Sequence, residues 1–367
     1  MIELLASAVF AFLPVPPKKT PPPCHTLTQH QLSEAMTLSE PCYAVSGSVT
    51  VSGSITVEPG VHLVFGQGTT LYMENGGSLT AVGTAEKPII FEGKDHTPGF
   101  WEGLNFQTNS SKNQLSYVTV ADAGTKGGDS AAVVVSIGAR LGIDHTTVRN
   151  AEGVGLTVLQ RGILGKFEQN RFEATGTPLR VKAADLVMID PATTFANNKK
   201  NYVLVYFNEC EVEDEASWRA LAVPYHFGCS ARIGSHVTVE PGAKFEFEEN
   251  DGLDVTENGS LTAEGTAEKP IVFTGADQTP GYWRGIYFES KSAKNVIRHA
   301  SITYAGQSSQ ITGGVCVGVR ANANVSASEI AYSADAGIRL LQNATINQDA
   351  ETSNRLHDNK ANVKRED

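Results

Sequence analysis

Apolar triplets recur through the first half of this chain at an almost constant interval. Ala132–Val135, Gly155–Val158, Leu179–Val181 and Val203–Val205 follow one another with nearly equal gaps. A second series interleaves with it: Val118–Val120, Thr146–Val148, Asn170–Phe172 and Thr193–Phe195. Two or three short strands per turn, repeating about every 23 residues, specify a parallel β-solenoid. One such coil cannot bury its apolar side alone, whereas stacked coils place Val on Val and Phe on Phe in a continuous core. The same spacing returns near the C-terminus, from Gly314–Val317 to Gly337–Leu340. Asn150, Asn170, Asn197 and Asn198 stand where corners are expected, and Asn tolerates the left-handed backbone that corners need. An antiparallel sandwich, the competing all-β solution, would give irregular hairpin lengths instead.

Ahead of these coils, short strands alternate with tight turns such as Glu58–Gly60, Gly66–Gly68 and Glu74–Gly77. Pro presets φ in such turns and Gly accepts positive φ. The 35 glycines of the 367 residues, with only 19% charged residues, agree with many strands joined by turns. A net charge of −11 and the lack of a basic patch argue against a nucleic-acid partner.

A longer repeat overlies the coils. Residues 77–106 and 259–288 agree at 21 of 30 positions, at a constant offset of 182. The apolar differences are mild (Ile90/Val272, Phe100/Tyr282, Leu104/Ile286), and the polar ones are bolder (Glu102/Arg284, Val82/Glu264). That pattern preserves a backbone path rather than a reactive centre. It predicts an all-β, right-handed parallel β-helix in two homologous lobes. The divisions are residues 1–23 as an apolar, Pro-rich leader, 24–209 as the first lobe, and 210–367 as the second, ending short of the first.

Cysteine placement agrees with the duplication. Cys24 and Cys42 flank the head of the first lobe, Cys210 and Cys229 the head of the second, and Cys316 is left over. Two disulfides are the favoured reading, each closing a loop worth roughly 3 kcal/mol. The rival is a four-cysteine metal site, which lacks the C-x2-C spacing that preorganises zinc. Disulfides imply an oxidising, exported setting. Cys316 lies in an apolar run and reads as a buried small hydrophobe. The segments 28–36 and 213–221 read as one or two helical turns each, the first serving as an N-terminal cap. Leu4–Leu13 is too short to span a bilayer and has the length of a signal-peptide core, although Glu3 stands where a base is expected. No other stretch qualifies as transmembrane.

The motif made of Val57–Gly60, Gly77–Phe91 and Trp101–Phe106, repeated at Val239–Gly242, Gly259–Phe273 and Trp283–Phe288, resembles exported bacterial right-handed parallel β-helix repeat proteins. The resemblance implies a secreted or cell-surface protein, often lipid-anchored, of a family whose function is mostly unassigned and which is often presumed to bind or process polysaccharide; polysaccharide or cell-envelope components are the expected partners. It transfers no catalytic residue, and no lipobox precedes Cys24.

Cleavage of acidic polysaccharide on such a fold needs paired carboxylates, or a calcium-binding acidic cluster beside a Lys or Arg base. The sequence offers only Ile143–His145, which partly matches a pectate-lyase run and whose counterpart is Val325–Ala327. We therefore assign no catalytic residue, no metal ligand and no cofactor. Calcium at Glu246, Glu248, Glu249, Asp251 and Asp254 is the weak exception, since no calcium-loop pattern accompanies them. Trp101 and Trp283 are the aromatic candidates for stacking on sugar rings, with packing over a corner of the core as the competing role. The expected function is non-catalytic adhesion or carbohydrate binding; the alternative is a polysaccharide lyase or hydrolase. An enzyme would gather three or more ionisable residues from neighbouring coils into one groove, and a scaffold would scatter them.

Overall fold

The computed structural model describes residues 23–127, 130–136, 138–206, 210–307 and 312–366. The apolar leader and most of the Pro-rich stretch lie outside them. Among the described residues every strand pair is parallel, and the chain winds as an all-β solenoid around one sheet of 13 strands. This long face runs from Val49–Val51 through Thr70–Met73, Gly103–Phe106 and Ala131–Val135 to Arg355–His357. Two further faces close the coil. The second holds six strands, Met36–Leu38 to Ile163–Glu168, and is succeeded by seven, Glu211–Val212 to Ala361–Arg365. The third holds eight strands, His25–Thr26 to Thr194–Ala196, and is succeeded by six, Ala216–Trp218 to Thr345–Ile346.

The register places like on like. Leu104 aligns with Val133, Val133 with Leu156, Leu156 with Leu179 and Leu179 with Val203, which is the spacing visible in the sequence. Elsewhere the coil length varies: the turn from Tyr225 to Phe245 is short, and the turn from Leu71 to Leu104 is long. Loops absorb the difference and the ladder does not. Aromatic rungs thicken the core where the two repeats meet: Tyr225 stacks on Phe245 at 5.3 Å, Phe245 on Phe273 at 5.1 Å, and Phe227 on Phe247 at 5.2 Å. Each fully buried Phe or Leu contributes about 1.5–3 kcal/mol relative to exposure.

Corners use two devices. Asn150 and Asn197 have φ of 56°, as the sequence anticipates, and so do non-Asn residues: Tyr117 at 50°, Asp122 at 64° and His145 at 47°. Asn170 and Asn198 act differently. Asn170 accepts from the Thr146 amide at 3.1 Å and donates to the Ile143 carbonyl at 3.1 Å, so its side chain ties one coil to the previous one. Asn198 does the same with the Thr175 amide and the Phe172 carbonyl.

The N-terminal cap is one 3-10 turn, Gln31–Ser33, with Leu32 buried. The Gln29 amide donates to the Thr50 carbonyl at 2.7 Å and accepts the Thr50 N–H at 2.8 Å, so it stands in for a further strand at the edge of the long face. The helical expectation fails for 213–221, which instead forms the strand Ala216–Trp218. Trp218 is fully buried 5.5 Å from Phe245 and 5.8 Å from Phe227, so tertiary burial overrides local helix preference. Both expected disulfides are formed, Cys24–Cys42 and Cys210–Cys229, with Cα separations of 4.6 and 6.3 Å. Cys316 is free and buried.

The two repeats are not superposed face on face. Gly103–Phe106 lies on the long face, whereas its counterpart Gly285–Phe288 lies on the second; Ile89–Gly93 lies on the third, whereas Ile271–Gly275 lies on the long face. The 3-10 turn Ala183–Met188 fills the second-face position of one coil where a strand would otherwise stand. Counted with that turn, the offset spans seven full coils plus one face, so the second repeat is rotated one face about the axis. The long face runs unbroken through the junction, Leu179 to Val203 to Tyr225.

Candidate binding grooves and the junction cleft

The rotation carries a surface feature with it. On the long face, Thr70, Tyr72, Glu102, Asn105, Ser130 and Val134 line a groove of about 250 Å³. On the second face, Asp254, Arg284, Tyr287, Thr312 and Cys316 line one of about 200 Å³. The two linings correspond at the same repeat offset: Tyr72 to Asp254, Glu102 to Arg284, Asn105 to Tyr287, Ser130 to Thr312, Val134 to Cys316. The chain therefore builds one concavity twice and points the copies in different directions.

The two copies differ in chemistry. In the first, Glu102 accepts from the Thr125 hydroxyl at 2.9 Å, Thr125 meets Ser130 at 3.0 Å, and Ser136 donates to Asn105 at 2.8 Å. It is an acceptor-rich groove with Tyr72 on its wall. In the second, Arg284 pairs with Asp254 at 2.6 Å, and Tyr287 lies one rung further along than Tyr72. Its floor is the Cys316 thiol, pushed up to about 12 by burial and so protonated. Burial also raises the Tyr287 phenol.

Trp101 and Trp283 are not in the grooves. Both are fully buried. Trp101 stacks on Phe65 at 3.8 Å and donates its indole N–H to the Ala121 carbonyl at 2.8 Å. Trp283 stacks on Phe247 at 4.4 Å and donates to the Thr303 carbonyl at 2.8 Å. Neither indole presents a face to solvent, and the aromatic rings on the groove walls are Tyr72 and Tyr287. The sequence could have shown this, since a Trp kept in both repeats beside a changing Glu102/Arg284 behaves as core.

A third concavity, about 410 Å³, opens beside the turn Ala183–Met188 and is lined by Lys166, Glu168, Asp190 and Arg219 among others. Four ionisable residues from neighbouring coils thus meet in one cleft, and the Ile143–His145 run adjoins it. Asp144 is 3% exposed. It accepts from Ser116 at 2.7 Å, meets His145 Nδ1 at 2.9 Å, and pairs with Lys166 at 3.3 Å. Burial lifts the Asp144 carboxyl, but His145, Ser116 and Lys166 outweigh it and hold it below the usual carboxylate range. Burial lowers Lys166, but Asp144 and Glu168 outweigh that and raise it, so the ammonium stays protonated and is poorly suited to act as a base.

The acidic run 246–254 is divided among partners. His226 lies 3.3 Å from Glu246 and 2.9 Å from Glu248, Tyr282 donates to Glu248 at 3.0 Å, and Asp254 faces Arg284. Burial raises Asp251, which also accepts from Ser230. A different group, Glu92, His96 and Asp122, is the one among the described residues whose potential ligand atoms all lie within 4.8 Å of one another. Nothing in the sequence signals this group, because about one full coil of chain separates Asp122 from the other two.

No helix among the described residues is long and apolar enough to cross a membrane. No protein-family model, no curated protein and no solved structure matches this chain. The fold itself is a parallel β-solenoid.

Proposed function

We propose that this chain is a non-catalytic binding rod of the cell exterior, holding polysaccharide or other envelope components in its two homologous grooves. The observation that carries this reading is the duplication itself: one concavity built twice, each copy with a tyrosine and hydrogen-bonding side chains on its walls. Aromatic rings stack on the apolar faces of sugars, while carboxylate, amide and hydroxyl groups take the hydroxyls. The rotation of one face lets a single rod engage two strands of a network. Two disulfides support an oxidising, extracellular setting.

The second reading, cleavage of an acidic polysaccharide, draws support from the four ionisable groups at the junction cleft. Against it stands Lys166, whose ammonium is paired with Asp144 and Glu168 and held protonated, so it offers no free base.

Titration calorimetry with neutral and acidic oligosaccharides tests the first reading. Tyr72→Ala and Tyr287→Ala should each weaken binding about 2- to 12-fold, the equivalent of an aromatic contact worth ~0.5–1.5 kcal/mol. Binding that ignores both substitutions rejects the groove assignment. Incubation with polyuronates, with and without calcium, tests the second: unsaturated product absorbance would overturn the non-catalytic reading.

A further inference from the structure

Three groups from different parts of the first repeat converge at one corner. Glu92 lies near the end of the strand Ile89–Gly93, His96 sits in the loop that follows, and Asp122 occupies the next coil's corner with φ of 64°. His96 Nδ1 is 3.0 Å from Asp122 Oδ2. Asp122 is fully buried and, among the described residues, has no lysine or arginine within ion-pair distance. Asn150 donates to Asp122 Oδ1 at 2.6 Å and to the His96 carbonyl at 3.3 Å, so one amide orients two of the three groups. His62 Nδ1 lies 3.8 Å from Glu92 Oε1 on the outer side.

We propose that Glu92, His96 and Asp122 form a binding site for a divalent transition metal of the zinc class. One imidazole nitrogen and two carboxylates suit zinc, cobalt or manganese, whereas calcium prefers oxygen ligands alone. Bonds of about 2.0–2.1 Å at tetrahedral angles put neighbouring ligand atoms about 3.3 Å apart. The His96–Asp122 pair is already near that spacing, and the Glu92 side chain closes the third side within the 4.8 Å envelope. The metal takes the place of the His96–Asp122 hydrogen bond and compensates a buried carboxylate. Three protein ligands leave a coordination position open to solvent or to an oxygen ligand. Asn150 acts as the outer-shell positioning residue. The second repeat is an internal control: its residues at these positions are Thr274, Gln278, Tyr304 and Tyr332, so it holds no equivalent set.

The test is titration of the chelator-treated full chain with Zn2+ alone, followed by calorimetry, with Co2+ absorption reporting the ligand field. One saturable equivalent per chain is expected. His96→Gln, which installs the second repeat's residue at a site 67% exposed, should weaken it more than ~100-fold without unfolding the chain. Asn150→Ala should weaken it about 10- to 100-fold. His357→Gln, at the far end of the rod, should leave it unchanged. Absence of saturable Zn2+ binding, or binding that His96→Gln leaves intact, or equal loss in His357→Gln, would overturn the assignment. If His96→Gln melts early, Glu92→Gln decides by the same titration.

Discussion

Replacing Trp101 by Ala removes a side chain that is fully buried, stacked 3.8 Å from Phe65 and bonded to the Ala121 carbonyl. Truncating a buried aromatic to Ala costs about 3–5 kcal/mol, and the orphaned carbonyl places this site in the upper part of that range. A solenoid opens by neighbouring coils rather than all at once, so the loss is local. At ~1.4 kcal/mol per tenfold, amides of Gly103–Phe106 that exchange through opening of that coil should accelerate from several hundredfold to a few thousandfold. Trp101→Phe keeps most of the buried area and loses chiefly the indole bond, so about fivefold is expected. Trp283→Ala should act by the same amount on Gly285–Phe288, because its stack on Phe247 and its bond to Thr303 repeat the geometry. Hydrogen exchange with mass-spectrometric readout resolves both segments. Unchanged exchange in Trp101→Ala, together with lost glycan binding, would refute the argument and restore the indoles as sugar platforms.

Further predictions concern backbone, cysteines and acid. Gly285 has φ of 101° and a Cβ there would meet the Gly313 carbonyl, so Gly285→Ala should lower the melting temperature more than an exposed Gly→Ala such as Gly68→Ala. Alkylation should label no cysteine in the native oxidised protein, one after unfolding and five after unfolding with reduction, given two disulfides and a buried Cys316. Glu329 is held below its ordinary value, first by its bond to His357, and its contribution is lost as pH falls below the usual Glu range. His357 is held above 6.5 by Asp358 and Glu329, so its contribution is complete at lower pH and is lost as pH rises through its folded value. Amides of Arg355–His357, corrected for intrinsic rates, should therefore be better protected at about pH 5.5 than at pH 8, and His357→Gln should abolish the difference.

The regular coils were legible because their rungs are evenly spaced along the chain and their side chains alternate inward and outward. Cysteine pairing was legible for a similar reason, each pair being local. The strand at Trp218 was not, since the rings of Phe227 and Phe245, from later parts of the chain, make burial there worth more than a helical turn. The face change was not legible either. Sequence identity between repeats records the local path of the chain, while the face depends on how many segments intervene, and Ala183–Met188 adds one without adding a strand. Surface sites fared worst: the groove walls and the Glu92–His96–Asp122 group are assembled across coils, between residues far apart in the chain.

The central claim is that one unbroken face carries the first repeat into the second, with the copies rotated by one face. Cysteines placed at Leu204 and His226, outward neighbours across the junction, test it directly. A short thiol-bridging reagent such as dibromobimane should link this pair in the oxidised protein, and should fail to link Leu204 with a cysteine at Arg232, which lies on the second face. Bridging of Leu204 to position 232, with none to position 226, would mean that the repeats stack face on face and would contradict the account.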